Sequence, residues 1–303
     1  MAQRTRRAAR VTLPLVLILT AAVAVGALGI WFWQQSQKEQ QTLVGLHHEL
    51  GQLTAQNTEL QNKQQQALDE EELLSHLAEK TAQEKAACFA LIAQLEQKIR
   101  AGESDKKIAY LTFDDGPYQQ TGGILETLAE KKVRATFFLR NRPEYIETIR
   151  AEIAAGHTIA NHSYSHKIKR IYQSADTFIR DIEQQQQWLT ETFGVTPLIY
   201  RFPGGSPTAK GLKGTITAAL SQQGLGYVDW NAATGDGLPG SLSTQQAYQN
   251  VMKSAEGKSI IVVLMHDYSA ATAEALPDII DSLRERGYLL LPLFRESVMI
   301  KSE

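Results

Sequence analysis

An uncharged run over residues 11–33, preceded by Arg4, Arg6, Arg7 and Arg10, limits what this chain can become more than any other feature. At about 1.5 Å per residue, a helix of that length crosses a hydrocarbon core of ~30 Å. Within lipid, a lone segment has to satisfy its own backbone hydrogen bonds, which a helix does. The arginines predict a cytoplasmic basic tail over 1–10, a transmembrane signal anchor over 11–33 and an extracytoplasmic remainder, with Trp31 and Trp33 at the interface. The competing reading is a cleaved signal peptide, with small residues around Ala21, Ala24 and Ala27 and a secreted product. The run exceeds the ~7–15 apolar residues of an ordinary signal core, which favours the anchor. Formal net charge is -2, and no basic stretch beyond the N-terminus is dense enough to serve as a nucleic-acid footprint.

From residue 34 to about 103 the composition changes to Gln, Glu, Lys, Leu and Ala, with no proline, and predicts long helix. Stepping by seven from Leu46 meets Leu53, Leu60, Ala67, Leu74, Thr81, Cys88 and Leu95, as the d positions of a heptad repeat would. The matching a positions, among them Leu43, Leu50, Asn57, Gln64, Glu71, Lys85 and Ile92, are more polar. The expectation is a helical stalk forming a parallel homodimeric coiled coil, with a single solvated helix or a helical hairpin as the alternative. The single cysteine, Cys88, excludes an internal disulfide. On the d seam of a parallel dimer it would face its counterpart and admit an interchain bridge.

After Gly102 short apolar runs alternate with amphipathic stretches. Candidate strands are 108–113, 135–139, 158–160, 198–202, 226–228, 260–265 and 289–293; candidate helices are 122–131, 144–155, 175–193, 210–223, 244–255 and 271–286. Repeated β-then-α predicts a parallel sheet or barrel. The segment 104–303 is shorter than the ~250 residues of an eightfold barrel, so the expected fold class is α/β, a distorted (β/α) barrel, with a doubly wound sheet as the fallback. Removing residues 1–104 is expected to leave this domain intact.

In such folds chemistry collects beyond the C-terminal ends of strands, and the polar clusters lie there. His162 and His166, spaced HxxxH, can meet one cation, and a carboxylate from Asp114 or Asp115 would complete a set of three ligands. Neighbouring aspartates resist ionising together unless a cation or arginine lies close, which allows them separate roles as ligand and as base. Taken alone, the aspartate pair before Gly116-Pro117 also reads as an acidic turn, and the histidines as a surface pair. Arg201 can orient an aspartate, and the Pro203-Gly204-Gly205 that follows lets backbone amides approach a ligand. His266, after the most apolar strand, can protonate a leaving amine, with Asp229 as the favoured partner and Asp236 or Asp267 as the alternatives.

Together, TFDDGP, HSYSH, RFPGG and LMHD, each after a candidate strand, make the segment from residue 106 onward resemble the polysaccharide deacetylases of carbohydrate esterase family 4, the NodB homology domain. The resemblance implies a distorted (β/α) barrel in which Asp114 is the catalytic base, held by Arg201. It makes Asp115, His162 and His166 the ligands of a divalent metal, commonly Zn2+, with Co2+, Mn2+ or Ni2+ also compatible with two histidines and one carboxylate. It makes His266 the general acid with Asp229 as its partner, and Leu264 part of the acetyl pocket, with Pro203, Gly204, Gly205 and Trp230 against substrate. The sequence departs from the family pattern at Gly204, where many members carry an aromatic residue, and at Asp229-Trp230-Asn231, which matches only in its first two positions. The implied reaction is hydrolysis of the N-acetyl group of N-acetylglucosamine in a cell-envelope glycan, with peptidoglycan favoured by the anchor. Chitin-like, poly-N-acetylglucosamine or acetylated xylan substrates are the alternatives, together with a noncatalytic glycan-binding envelope protein.

Overall fold

The computed structural model describes residues 3–78, 82–295 and 297. The first two residues of the basic tail, the heptad position Thr81 and the last residues of the C-terminal domain lie outside them. Two compact units divide the chain at Met1–Asn62 and Lys63–Glu303. The described residues of the first unit all lie within α1 (Gln3–Ala78), which holds a stretch long and apolar enough to be a membrane span or a signal. Its leucines at the heptad steps, Leu43, Leu46, Leu50, Leu53 and Leu60, are exposed in the single chain.

The second unit is built on a curled, eight-stranded parallel sheet. Its strands are β1 (Lys107–Asp114), β2 (Thr136–Leu139), β3 (Thr158–Asn161), β4 (Ile199–Tyr200), β5 (Gly226–Tyr227), β6 (Ala232–Ala233), β7 (Ile260–His266) and β8 (Tyr288–Leu290). They run in the order β5-β4-β3-β2-β1-β7-β6, and β8 pairs with the first residues of β1. This is the expected distorted barrel. Helices α3 (Thr121–Glu130), α4 (Ile146–Ala154), α5 (Ile168–Ile171), α6 (Ala175–Phe193), α7 (Lys213–Gln222), α8 (Thr244–Ser254) and α9 (Ala270–Glu285) connect the strands. Local chemistry sets their ends. Ser174 caps α6 by accepting from the Thr177 N–H, Gly194 at φ 68° closes it, and Ser243 with Gln246 forms a capping box on α8.

Period-two alternation sorts the strands into two cores. On β1, Ala109, Leu111 and Phe113 face outward with Ile261, Val263 and Met265 of β7, against Ile124, Leu128, Ile279 and Leu283 from the helices. Ile108 and Tyr110 face the concave side with Phe138, Val262 and Leu289.

The concave side corrects two sequence expectations. Helix α2 (Ala82–Arg100), assigned by composition to a stalk ending at 103, buries Cys88, Ile92, Glu96 and Ile99 there, and Phe89 stacks on Phe294 with ring centroids 4.7 Å apart. Its heptad-like stripe finds the open inside of the sheet, so Cys88, 7% exposed in that core, has no seam on which to meet a second thiol. The Tyr110 hydroxyl donates to the buried Glu96 carboxylate, so this helix also meets the sheet through a polar pair. Within the same unit the end of α1 is fastened by Glu70, which accepts from Arg284 Nη2 at 2.8 Å and Nε at 3.1 Å, and by Gln66, which donates to the Tyr288 carbonyl at 3.0 Å.

Candidate active site

The next residues on the same face of β1 are Thr112 and Asp114, and with them the concave side turns from oil to charge. Asp114 is the last residue of the strand, paired in register with His266 of β7. Asp115 follows at φ 74°, in the left-handed region that non-glycine residues enter at a cost, and this turn lets adjacent carboxylates take different surroundings. Gly116 has no alternative, because a Cβ there would fall 1.9 Å from Asp267 Oδ2.

Arg201, fully buried after β4, donates from Nη1 to Asp114 Oδ1 at 2.7 Å and to Thr112 Oγ1 at 2.8 Å, and lies 4.1 Å over the Phe138 ring. Its remaining donors reach the carbonyls of Val228 and Asp229, both at 3.2 Å. Asp114 is therefore fixed by a charge-assisted bond on one oxygen, while the other lies 3.7 Å from His162 Nε2.

His162 and His166 come from the turn after β3. Asp181 of α6 holds that turn, accepting from the Ser163 hydroxyl and from both the amide and the hydroxyl of Ser165, and Ser163 Oγ accepts the His166 N–H at 2.9 Å. His162 Nδ1 lies 2.9 Å from the Arg201 carbonyl. A carbonyl can only accept, so Nδ1 carries the proton and Nε2 presents its lone pair. Asp115 Oδ1 lies 3.8 Å from that Nε2 and 3.3 Å from His166 Nε2. Ligand atoms of Asp115, His162 and His166 all fall within 4.8 Å of one another, and Asp115 Oδ1 is buried without a hydrogen bond. Burial, and secondarily the neighbouring His162, push the His166 imidazole down to about 4, so it is neutral near pH 7. Burial by itself would raise the Asp115 carboxyl, but the imidazoles of His162, His166 and His266 with Arg140 outweigh it and hold it below the usual range. A neutral His166 imidazole, the Nε2 of His162 facing the same point and a buried carboxylate oxygen that makes no hydrogen bond suit a divalent cation.

The partner of His266 differs from the expected one. Its Nδ1 donates to Asp236 Oδ1 at 2.7 Å, and Asp236 Oδ2 accepts the His266 amide at 2.8 Å and the Thr272 hydroxyl at 2.6 Å. Burial opposes the charged form of His266, but the bond to Asp236 and the charge of Asp114 outweigh it and raise the imidazole above its ordinary range. Asp229 is fully buried elsewhere, accepting from Ser206 N at 2.8 Å and Ser206 Oγ at 2.6 Å, and so fastens the loop after Arg201. Asp267 points away from the cavity to the Thr121 hydroxyl at 2.6 Å, and burial lifts its carboxyl to about 7.

Asp114, Asp115, His162, His166, Gly204, Trp230, Leu264 and His266 line one cavity of about 400 Å³ with Asp236, joined by Ile168, Leu238 and Tyr268, which sequence reasoning did not place there. Gly205 packs under Trp230, where a Cβ would meet the indole at 3.0 Å, and the Pro203 carbonyl accepts from the Tyr172 hydroxyl at 2.9 Å. The Gly205 amide is engaged by the Phe202 carbonyl at 2.8 Å, whereas among the described residues the Gly204 amide has no acceptor within the protein. Tyr268 stacks on the His266 ring at 5.0 Å and meets Tyr118 edge-on at 5.6 Å.

The family model for polysaccharide deacetylase matches residues 101–228. The chain is 32% identical over 195 residues to the peptidoglycan-N-acetylglucosamine deacetylase of Bacillus cereus, a match covering 62% of this chain and 70% of that protein. It is 32% identical to the chitin deacetylase of Colletotrichum lindemuthianum, over 59% of this chain and 74% of that one. Among solved structures, the catalytic domain of peptidoglycan N-acetylglucosamine deacetylase from Eubacterium rectale superposes with a TM-score of 0.63 at 38% identity, covering 67% of this chain and 98% of that one.

Proposed function

The chain belongs to the polysaccharide deacetylase family, and we propose that its second unit is a divalent-metal-dependent hydrolase that removes N-acetyl groups from N-acetylglucosamine residues of peptidoglycan. The observation that carries the metal dependence is Asp115 Oδ1, buried without a hydrogen bond and facing the Nε2 atoms of His162 and His166. A cation held by Asp115, His162 and His166, with Zn2+ the leading candidate, would supply Lewis acidity toward the amide carbonyl and a water of lowered pKa. Asp114, held by Arg201, takes the proton of the attacking water. The Gly204 amide donates to the carbonyl oxygen as it becomes an oxyanion, and Leu264 with Trp230 walls the acetyl methyl. His266, whose protonated form Asp236 favours, gives its proton to the departing amine, so that acetate and a free amino sugar leave.

The placement at the wall rests on the apolar stretch of α1 acting as an uncleaved anchor, cytoplasmic on its arginine side and extracytoplasmic beyond. The exposed leucines from Leu43 to Leu60 support pairing of two copies along the first unit alone.

The test is acetate release by the full-length protein from N-acetylglucosamine oligomers and from peptidoglycan, with chelator and with Zn2+ restored. Release that chelator stops and Zn2+ restores is the expected result. In the same assay Asp114→Asn is inactive yet binds metal, whereas His162→Ala loses both. Equal metal loss in the two variants would overturn the division of roles between Asp114 and Asp115.

A further inference from the structure

Beside the catalytic cavity the surface turns basic, although the chain as a whole carries a net charge of -2. Lys167, Lys169 and Arg170 follow directly on His166, and all are exposed. Ile168, between them, lines both the catalytic cavity and a neighbouring groove of about 490 Å³, whose walls carry Lys169 and Lys210. A second groove of about 440 Å³ on the other flank of α5 carries Lys167, Arg170 and Arg180. Among the described residues none of these five cations lies within ion-pair distance of a carboxylate. The one carboxylate lining either groove, Asp181, already accepts from Ser163 and Ser165. Lys210 also sits at φ 49°, ψ -128°, well outside the regions that L-residues favour.

A neutral sugar is gripped by hydrogen bonds and by flat apolar faces; a row of cations without counter-ions contributes little to it and repels itself. Carboxylates on the substrate would relieve that repulsion and be drawn to the mouth of the cavity. We infer that the groove carrying Lys169 and Lys210, joined to the catalytic cavity through Ile168, is a subsite for an anionic substituent on the sugar next to the one deacetylated. The substrate is then a strand in which N-acetylglucosamine alternates with a carboxylate-bearing residue, as in peptide-substituted peptidoglycan, and a chitin-like chain is a poorer one. This rests on the deacetylase reading above. A Cβ at Gly204 would fall 3.1 Å from Thr208 Oγ1 and 3.7 Å from Ile168 Cδ1, so a larger side chain there would stand between cavity and groove.

Full-length protein in detergent micelles is assayed for acetate release from three substrates: peptidoglycan oligomers with free carboxylates, the same oligomers with those carboxylates amidated, and N-acetylglucosamine oligomers. At low salt the free carboxylates should raise kcat/KM about tenfold over the amidated form, chiefly through KM. The advantage should shrink as added salt brings the screening length to about 8 Å. K169Q/K210Q should erase most of it, and K169E/K210E should reverse the preference. Equal rates on free and amidated oligomers, or variants that keep the full preference, would overturn the subsite while leaving the deacetylase standing. Failure to release acetate from any of the three would remove the deacetylase and the subsite together.

Discussion

The two ends of the concave sheet face are built from the same strands and obey opposite rules. Toward the start of β1, Ile108 and Tyr110 close on Cys88, Ile92 and Ile99 of α2, a core of ordinary packing with one polar pair. Toward its end, Thr112 and Asp114 meet a buried arginine, two histidines and a carboxylate oxygen that makes no hydrogen bond. The difference teaches that stability and chemistry are separated along the strand direction. Substitutions at the α2 end should cost folding free energy and spare the chemical step, whereas those at the mouth should do the reverse.

The largest effect that can break this comparison is truncation. A fragment beginning after Ser104 lacks α2, leaves Tyr110, Phe294 and their neighbours open to water, and should lose cooperative unfolding. One beginning at Lys63 should keep both its melting transition and its activity. A fully active Ser104 fragment would show α2 to be dispensable. Next, His266→Asn should lower kcat by about 10²- to 10⁴-fold with metal retained and little change in melting temperature. Smaller in activity but larger in stability, Ile92→Ala should cost about 2–5 kcal/mol in denaturant unfolding, with kcat per folded molecule unchanged. Leu50→Asn, on the exposed stripe of α1, should leave the melting of the second unit within about ±0.5 kcal/mol. The finest test is Asp236→Asn. Asp236 is the strongest of the influences that raise the His266 imidazole, so without its charge the basic limb of kcat/KM should move to lower pH. A limb that stayed in place would mean that another group sets it.

Much of the mouth was legible because its chemistry is local. Asp114-Asp115 ends one strand, the HxxxH turn follows another, and a strand's end can be read from where an apolar run stops. What escaped depends on partners far along the chain. Asp236 stayed one of three possible partners for His266, because it follows β6, a strand of two alanines too short to show alternation. Asp181 sits on an amphipathic helix at a position that reads as a solvated polar face, and only the fold reveals that it is buried beneath two serines. The α2 misreading has a different cause. Heptad spacing reports an apolar stripe and says nothing of what covers it, and on α2 the cover is a sheet.

The alternation on β1 has a bearing on length variation. Hydrophobic floor, arginine support and catalytic carboxylate are carried on one strand by Ile108, Tyr110, Thr112 and Asp114, with the outer core on the residues between. A single inserted or deleted residue within that strand would exchange the faces and drive Leu111 and Phe113 into the place of the ions. Sequence drift in this protein can therefore change the size of side chains along β1 but not their number.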